Sequence, residues 1–176
     1  LLMKNHTFAI YARIQVDDAP EWLTSFMRKY QKQEPHVTLK QTCFIDADDL
    51  SDALEKTRDF FKSYILAGHS IPIIFNKVRT EPGWSLVMID AEENLELSRL
   101  QRSLVEALSH YRKNYVEPEL PQYEENFVPH LTVADEIEEG DRMRVSEDFP
   151  KECVVRAEIR EIVFSVDGTP HEVFLL

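Results

Sequence analysis

One five-residue pattern occurs twice in this chain of 176 residues, at Pro35–Leu39 (PHVTL) and at Pro129–Val133 (PHLTV). Alternate side chains of a β-strand point to the same face, so the histidine and threonine of each copy share a face and the apolar residues anchor the other. A single His-x-Thr is most often the polar face of an amphipathic sheet. Two copies, each with proline before histidine at the start of a strand, instead favour a shared role.

The spacing of apolar residues predicts the remaining elements. Residues alternate from Phe8 to Val16 as in a half-buried strand. Further strands are predicted at Val37–Ile45, Ile71–Val78, Ser85–Asp90, Leu131–Ala134, Val154–Val166 and Glu172–Leu176. Helical spacing predicts helices over Trp22–Tyr30, Leu50–Ile65, where Asp46 or Asp48 is the N-cap, and about Asn94–Tyr111. Glu117–Asn126 is predicted to be a surface loop, and the acidic Asp135–Asp148 to be mostly loop with at most a short helix.

This order of elements, with turn residues between several strands, predicts an α+β fold built mainly from antiparallel sheets. The motif returns after a similar set of elements, which indicates an ancient duplication. We therefore expect a single bilobal domain over residues 1–176. Its two pseudo-symmetric lobes should enclose a central cleft, with the helices outside.

Composition limits the class of ligand. The chain has 20 Lys and Arg against 32 Asp and Glu, a net charge of -12. Proteins that coat long nucleic acids depend on many basic contacts to phosphate, so a long duplex is not expected as a partner. A nucleotide or one RNA terminus needs only a few local groups and is compatible with this charge.

The sequence also carries expectations about location. No apolar run is long enough to cross a bilayer, and the first residues do not form a signal peptide, so we expect a cytoplasmic protein without a membrane partner. Cys43 and Cys153 have apolar neighbours and no Cys-x-x-Cys spacing, which predicts two reduced core thiols. A monomer is expected.

Two imidazoles and two hydroxyls in one cleft suit phosphodiester chemistry. A neutral imidazole accepts a proton from the attacking oxygen, and a protonated imidazole donates one to the leaving oxygen. The hydroxyls of Thr38 and Thr132 can donate hydrogen bonds to the non-bridging phosphate oxygens. This arrangement requires neither a metal nor another cofactor.

The motifs His36-Val37-Thr38-Leu39 and His130-Leu131-Thr132-Val133 resemble those of the two-histidine (2H) phosphoesterases, which include the bacterial RNA 2',3'-cyclic phosphodiesterases, also named 2'-5' RNA ligases. The resemblance covers nearly the whole chain. It implies metal-independent opening of a 2',3'-cyclic phosphate to a 2'-phosphate, with 2'-5' ligation as a further activity. It also implies that His36 is the acid and His130 the base. The bacterial enzymes often have a basic residue soon after the second motif, where this chain has Asp135.

Some features leave alternatives open. Tyr11, Tyr123 and Phe127 are candidates for stacking on a base at the groove, although each could equally be packing. By strict alternation Lys40 lies on the face of His36 and Thr38, where we expect a solvated side chain or a positive charge near the phosphate. The acidic surface also leaves open a non-catalytic nucleotide-binding module of the same fold.

Overall fold

The strands and helices follow the apolar spacing of the sequence closely. The computed structural model describes residues 5–64, 69–149 and 152–176. The strands are β1 (His6–Asp18), β2 (His36–Ile45), β3 (Ile71–Thr80), β4 (Val87–Ala91), β5 (His130–Ala134), β6 (Glu152–Val166) and β7 (Thr169–Leu175). The helices are α1 (Glu21–Tyr30), α2 (Ala47–Tyr64), α3 (Leu95–Ala107), α4 (Leu120–Glu125) and α5 (Glu139–Asp148), with short 3-10 turns at Pro82–Trp84 and Ser109–Tyr111.

The second helix begins as predicted. The side chain of Asp46 accepts a hydrogen bond from the backbone amide of Asp49 at 3.0 Å, so Asp46 is the N-cap. The predicted end of this helix at Ile65 lies outside the described residues.

The prediction of a loop over Glu117–Asn126 is wrong, because α4 forms within it. Pro121 is tolerated at the first turn of a helix, and Glu124 is buried, so tertiary contacts stabilise a turn that has little helical signal of its own.

The acidic stretch Asp135–Asp148 is more helical than its composition suggests, because α5 covers most of it. In α5, the side chain of Val145 is completely buried and packs in the core, which anchors this otherwise polar helix.

The described strands form one sheet with the order β2-β1-β6-β3-β4-β5, in which every pairing is antiparallel. One side of the long strand β6 pairs first with β3 and then, from Glu161 onward, with β7. Strand β6 therefore belongs to both halves of the sheet. The sheet curls until its edge strands β2 and β5 come into contact, so that it nearly closes into a barrel. The predicted α+β, mainly antiparallel fold is confirmed.

Alternation along β1 separates the core from the opposite face. Phe8, Ile10, Ala12 and Ile14 are buried, while the residues between them are half-buried on the other side. The hairpin between β6 and β7 turns through Asp167 and Gly168, both with positive φ, as a type I′ hairpin turn requires. This turn stands beside the cleft described below.

The sequence also supports predictions about the two cysteines and about the length of apolar runs. Cys43 and Cys153 are both buried and unpaired, as predicted. Among the helices in the described ranges, none is both long and apolar enough to span a bilayer.

The centre of the core gives a test of the fold. Phe164 is fully buried and stacks on Phe8 with 5.5 Å between ring centroids. We expect Phe164→Ala to lower the free energy of unfolding by about 3–5 kcal/mol, since it removes an aromatic ring and leaves a cavity. Phe44→Ala is the matched control, because Phe44 is 47% exposed and should cost about 1 kcal/mol or less. Equal midpoints in urea denaturation for the two variants would contradict this packing.

Candidate active site

The two motif histidines begin the two edge strands that meet. His36 is the first residue of β2 and His130 the first of β5. The preceding prolines are held alike: the carbonyl of Pro35 accepts from the amide of Ile14 at 2.9 Å, and that of Pro129 accepts from the amide of Ala91 at 2.8 Å. The repeated pattern therefore has the same backbone anchoring in both halves of the sheet.

Each imidazole is oriented by a carbonyl two residues before it. His36 Nδ1 lies 2.8 Å from the carbonyl oxygen of Glu34, and His130 Nδ1 lies 3.1 Å from that of Val128. A carbonyl can only accept, so Nδ1 carries the proton in both rings. In the neutral form, Nε2 is then left as the proton acceptor.

Two adjoining cavities open beside these histidines. One, of about 490 Å³, is lined by His36, and the other, of about 390 Å³, by His130. Thr38 and Gln41 line both cavities and form the boundary between them. The strands of the two motifs thus contribute to one cleft made of these two adjoining cavities, which meet at Thr38 and Gln41.

A cluster of charged and aromatic groups surrounds His36. Glu34 accepts from the Tyr11 hydroxyl at 2.8 Å and from Arg13 Nε at 2.9 Å. Arg13 also donates to Glu161 at 2.5 Å. Burial alone would raise the pKa of Glu34, but Arg13 and Tyr11 lower it, so Glu34 is a carboxylate beside His36. The cluster fixes the segment whose carbonyl orients the imidazole.

Tyr11 belongs to this cluster. It lies directly across the ladder from Thr38, and its ring centroid is 5.1 Å from that of His36. Burial and then Glu34 raise the pKa of Tyr11 to about 12, so its hydroxyl remains a donor. Tyr11 lines the His36 cavity and packs on the imidazole.

His130 has more enclosed surroundings. Asp90 lies across the ladder from it, and Arg79 binds Asp90 with nitrogen–oxygen distances of 3.1–3.2 Å. Burial lowers the pKa of His130, and the positive charges of Arg79 and His36 lower it further. His130 is therefore neutral in the neutral pH range.

Lys40 does not lie in the cleft, so the expectation of a solvated or phosphate-facing lysine is wrong. The register between β1 and β2 shifts on both sides of the Ile10–Lys40 pair, which turns Lys40 toward the core face of Ile10. The side chain is completely buried. Gln41 lines the cleft instead.

Among the other candidates, Tyr123 and Phe127 line the His130 cavity together with Val128. Tyr123 is 50% exposed and Val128 52%, so this wall presents apolar surface to solvent. Thr132 is half-buried on β5, where Gln31 donates to its carbonyl at 2.7 Å. Thr132 is not among the described residues that line either cavity.

Asp135, which follows the second motif, is half-buried near His36. Burial and then Glu136 raise the pKa of its carboxyl, while Lys32 and His36 lower it. Lys32 lines the His36 cavity and pairs with Glu136 at 2.6 Å. The positive charges at the cleft, Lys32 and Arg79, are thus both matched by carboxylates. No group of three or more His, Cys, Asp or Glu in the described ranges is arranged to hold a metal ion.

Sequence reasoning did not find Glu34, Arg79 or Gln41. Glu34 directly precedes the first motif, and its position two residues before His36 was the available signal. Arg79 has no local signal, since only the pairing of β3 with β4 brings it to Asp90. Gln41 was hidden by the irregular register of β2.

The family model of the 2'-5' RNA ligase superfamily matches residues 12–169, which include both motifs. The chain belongs to the 2'-5' RNA ligase superfamily. The resemblance to 2H phosphoesterases is thereby confirmed, and membership of this superfamily supports a phosphodiesterase or ligase type of reaction.

Solved structures share the fold of this superfamily member. Usb1 of Kluyveromyces marxianus has 12% identity and a TM-score of 0.55, and the alignment covers 98% of this chain and 99% of that one. E. coli LigT, solved in complex with 3'-AMP, has 11% identity, a TM-score of 0.57 and the same coverage. At this identity the likeness concerns the fold. A search of curated proteins finds no match to the sequence.

The lowered pKa of His130 gives a test by pH. The unfolded chain, in which histidine has a pKa of about 6.5, binds a proton at this residue more readily than the folded chain does. Stability should therefore rise with pH between the folded pKa and about 6.5, and this contribution should be absent in His130→Asn. NMR titration of the His130 ring measures its pKa in the folded chain, and urea denaturation at several pH values measures the free energy of unfolding. The control variant His171→Asn changes an exposed histidine and should keep this rise of stability with pH. A measured pKa above about 6.5 for His130 in the folded chain would refute the prediction.

Proposed function

We propose that the chain is a metal-independent phosphodiesterase that opens the 2',3'-cyclic phosphate of a nucleotide or RNA end to a 2'-phosphate. The observation that carries this is the paired orientation of His36 and His130. Each has Nδ1 held by a backbone carbonyl, and each lines a cavity that adjoins the other at Thr38. Two imidazoles held in this way can act on one phosphate between them.

The surroundings of the two rings assign different roles to them. His130 has a pKa lowered by burial, so its neutral Nε2 is suited to accept a proton. His36 is the other imidazole at the cleft, with Nδ1 held by the Glu34 carbonyl, and is left to donate the proton to the leaving oxygen. We therefore assign His130 as the general base and His36 as the general acid.

The reaction then proceeds by in-line attack of water on phosphorus. His130 takes a proton from the water as the new P–O bond forms. The bond between phosphorus and the 3'-oxygen breaks, and His36 donates a proton to that oxygen. The product keeps the phosphate on the 2'-oxygen with a free 3'-hydroxyl, and a proton exchange with solvent restores both rings.

Thr38 is the proposed phosphate ligand from the first motif. It lies between the two cavities, where its hydroxyl can donate to a non-bridging oxygen without a change of charge. Thr132 is proposed for the same role in the second motif. Arg79, whose side chain is 40% exposed, adds positive charge beside His130.

The nucleoside would occupy the His130 cavity. Tyr123, Phe127 and Val128 supply apolar surface there, and aromatic rings stack on bases without strong sequence preference. The complex of E. coli LigT with 3'-AMP supports a nucleotide as the class of ligand. The net charge of -12 and the paired cations of the cleft favour one nucleotide or a short RNA end over a long duplex.

Hydrolysis of a 2',3'-cyclic mononucleotide tests the proposal. We expect His36→Ala and His130→Ala each to lower kcat/KM by about 10²–10⁴-fold, since each removes one proton transfer. Turnover by the wild-type chain should be unchanged by EDTA. His110→Ala is the matched control, because His110 is exposed and lines neither cavity. Calorimetric binding of 3'-AMP without turnover of the cyclic substrate would instead favour a binding module.

The role of Thr38 has its own test. Thr38→Val removes the hydroxyl and keeps the shape, so kcat/KM should fall by about 10²-fold. Thr38→Ser keeps the hydroxyl and should stay within about tenfold of wild type. Equal losses in the two variants would indicate that packing, and not hydrogen bonding, accounts for the effect.

A further inference from the structure

A fully buried ion pair lies behind the cleft. Lys40 Nζ is 2.8 Å from Glu124 Oε1, and neither side chain is accessible to solvent. Lys40 comes from β2, two residues after Thr38, and Glu124 comes from α4. The pair therefore joins the strand of the first motif to the helix that carries Tyr123.

The pair is well provided with hydrogen bonds. Glu124 Oε1 also accepts from the backbone amide of Gln41 at 2.8 Å, and Oε2 accepts from the Tyr115 hydroxyl at 2.7 Å. Lys40 also donates to the carbonyl of Gln41 at 3.1 Å and to Cys43 Sγ at 3.1 Å. Both charged groups are thus compensated, as burial requires.

A second buried polar side chain, Gln101, connects the same two segments, β2 and α4. Gln101 of α3 donates to the carbonyl of Leu39 at 3.4 Å and to the carbonyl of Glu124 at 3.2 Å. Leu39 is next to Thr38, and Glu124 is next to Tyr123. Gln101 therefore bridges the backbones of β2 and α4, through hydrogen bonds longer than the 2.8 Å contact of the ion pair.

Both segments present residues to the cleft on either side of this pair. Thr38 and Gln41 of β2 line the boundary of the two cavities, and Gln122 and Tyr123 of α4 line the His130 cavity. Buried ion pairs add little net stability compared with apolar residues of similar volume, so a role in fixing geometry is the physical alternative.

We propose that the Lys40–Glu124 pair is a positioning device that holds the α4 wall of the His130 cavity against the first motif. This rests on the proposed function. Strand β2 is paired with β1 along its length, so His36 and Thr38 stay in place without the ion pair. Helix α4 has only six residues and depends on buried contacts to β2, so the wall shifts when the pair is removed. The pair thereby controls binding of the nucleoside and leaves the chemical step unchanged.

The test uses the double variant Lys40→Met/Glu124→Gln. A single replacement would leave one buried charge unpaired and could prevent folding, whereas the double variant keeps the volume and removes both charges. Two substrates are compared: 2',3'-cyclic AMP and glycerol 1,2-cyclic phosphate, which lacks a base. We expect KM for the nucleotide to rise about tenfold, since loss of one stacking contact has this size. The kcat for both substrates and KM for the glycerol ester should stay within about twofold.

A control separates this effect from a loss of stability. Phe61→Leu reduces a buried side chain between α2 and β7, away from the cleft, and should lower the melting temperature without changing either KM. Parallel losses with both substrates in the double variant would mean a merely structural role and would overturn the proposal. An unchanged KM for 2',3'-cyclic AMP would also overturn it.

Calorimetry with 3'-AMP distinguishes failure of the proposed function from failure of this inference. If the wild-type chain turns over neither substrate, the phosphodiesterase assignment is wrong. The positioning role is then judged by binding alone: about tenfold weaker binding of 3'-AMP by the double variant supports it. Equal binding by the two proteins, or no binding by the wild type, overturns it.

Discussion

The meeting of two edge strands is the constraint on which the rest of this structure depends. Strands β2 and β5 lie at opposite ends of the order β2-β1-β6-β3-β4-β5, so a flat sheet would place their histidines several strands apart. Antiparallel strands twist relative to their neighbours, and the long strand β6 belongs to both halves. The resulting curl brings β2 and β5 into contact and makes one cleft from two halves.

Within that cleft, His36 and His130 are held by the backbone in the same way but have different side chains around them. Both rings donate Nδ1–H to a carbonyl two residues earlier, which fixes the tautomer in the same way. The side chains around them differ. His36 stands beside the Glu34 carboxylate and the Tyr11 ring, whereas His130 is more enclosed and lies near Arg79. The two rings therefore have different electrostatic surroundings, in keeping with the proposed division into an acid and a base.

Charge in this protein is balanced locally. Lys32 and Arg79 at the cleft and Arg13 beside it each pair with a carboxylate, and Lys40 pairs with Glu124 behind the cleft. Because these cations are already paired, the proposed nucleotide would be recognised by geometry and a few hydrogen bonds and not by an excess of positive charge. The exposed apolar wall of Tyr123 and Val128 supplies contact area that needs no charge.

The sequence by itself predicted most of the strands and helices, because alternation and helical spacing are local, and it singled out the four motif residues because the motif repeats with proline at the same place. It predicted the strand of Tyr11 and the reduced cysteines for the same reason. It was wrong on Lys40, because a shift in register reverses which face a side chain takes, and on α4, because burial of Glu124 depends on a residue 84 positions away. Only the tertiary structure decided that β2 and β5 meet, and that Arg13 pairs with Glu34 and Arg79 with Asp90 near the two histidines, since those contacts join segments distant in sequence.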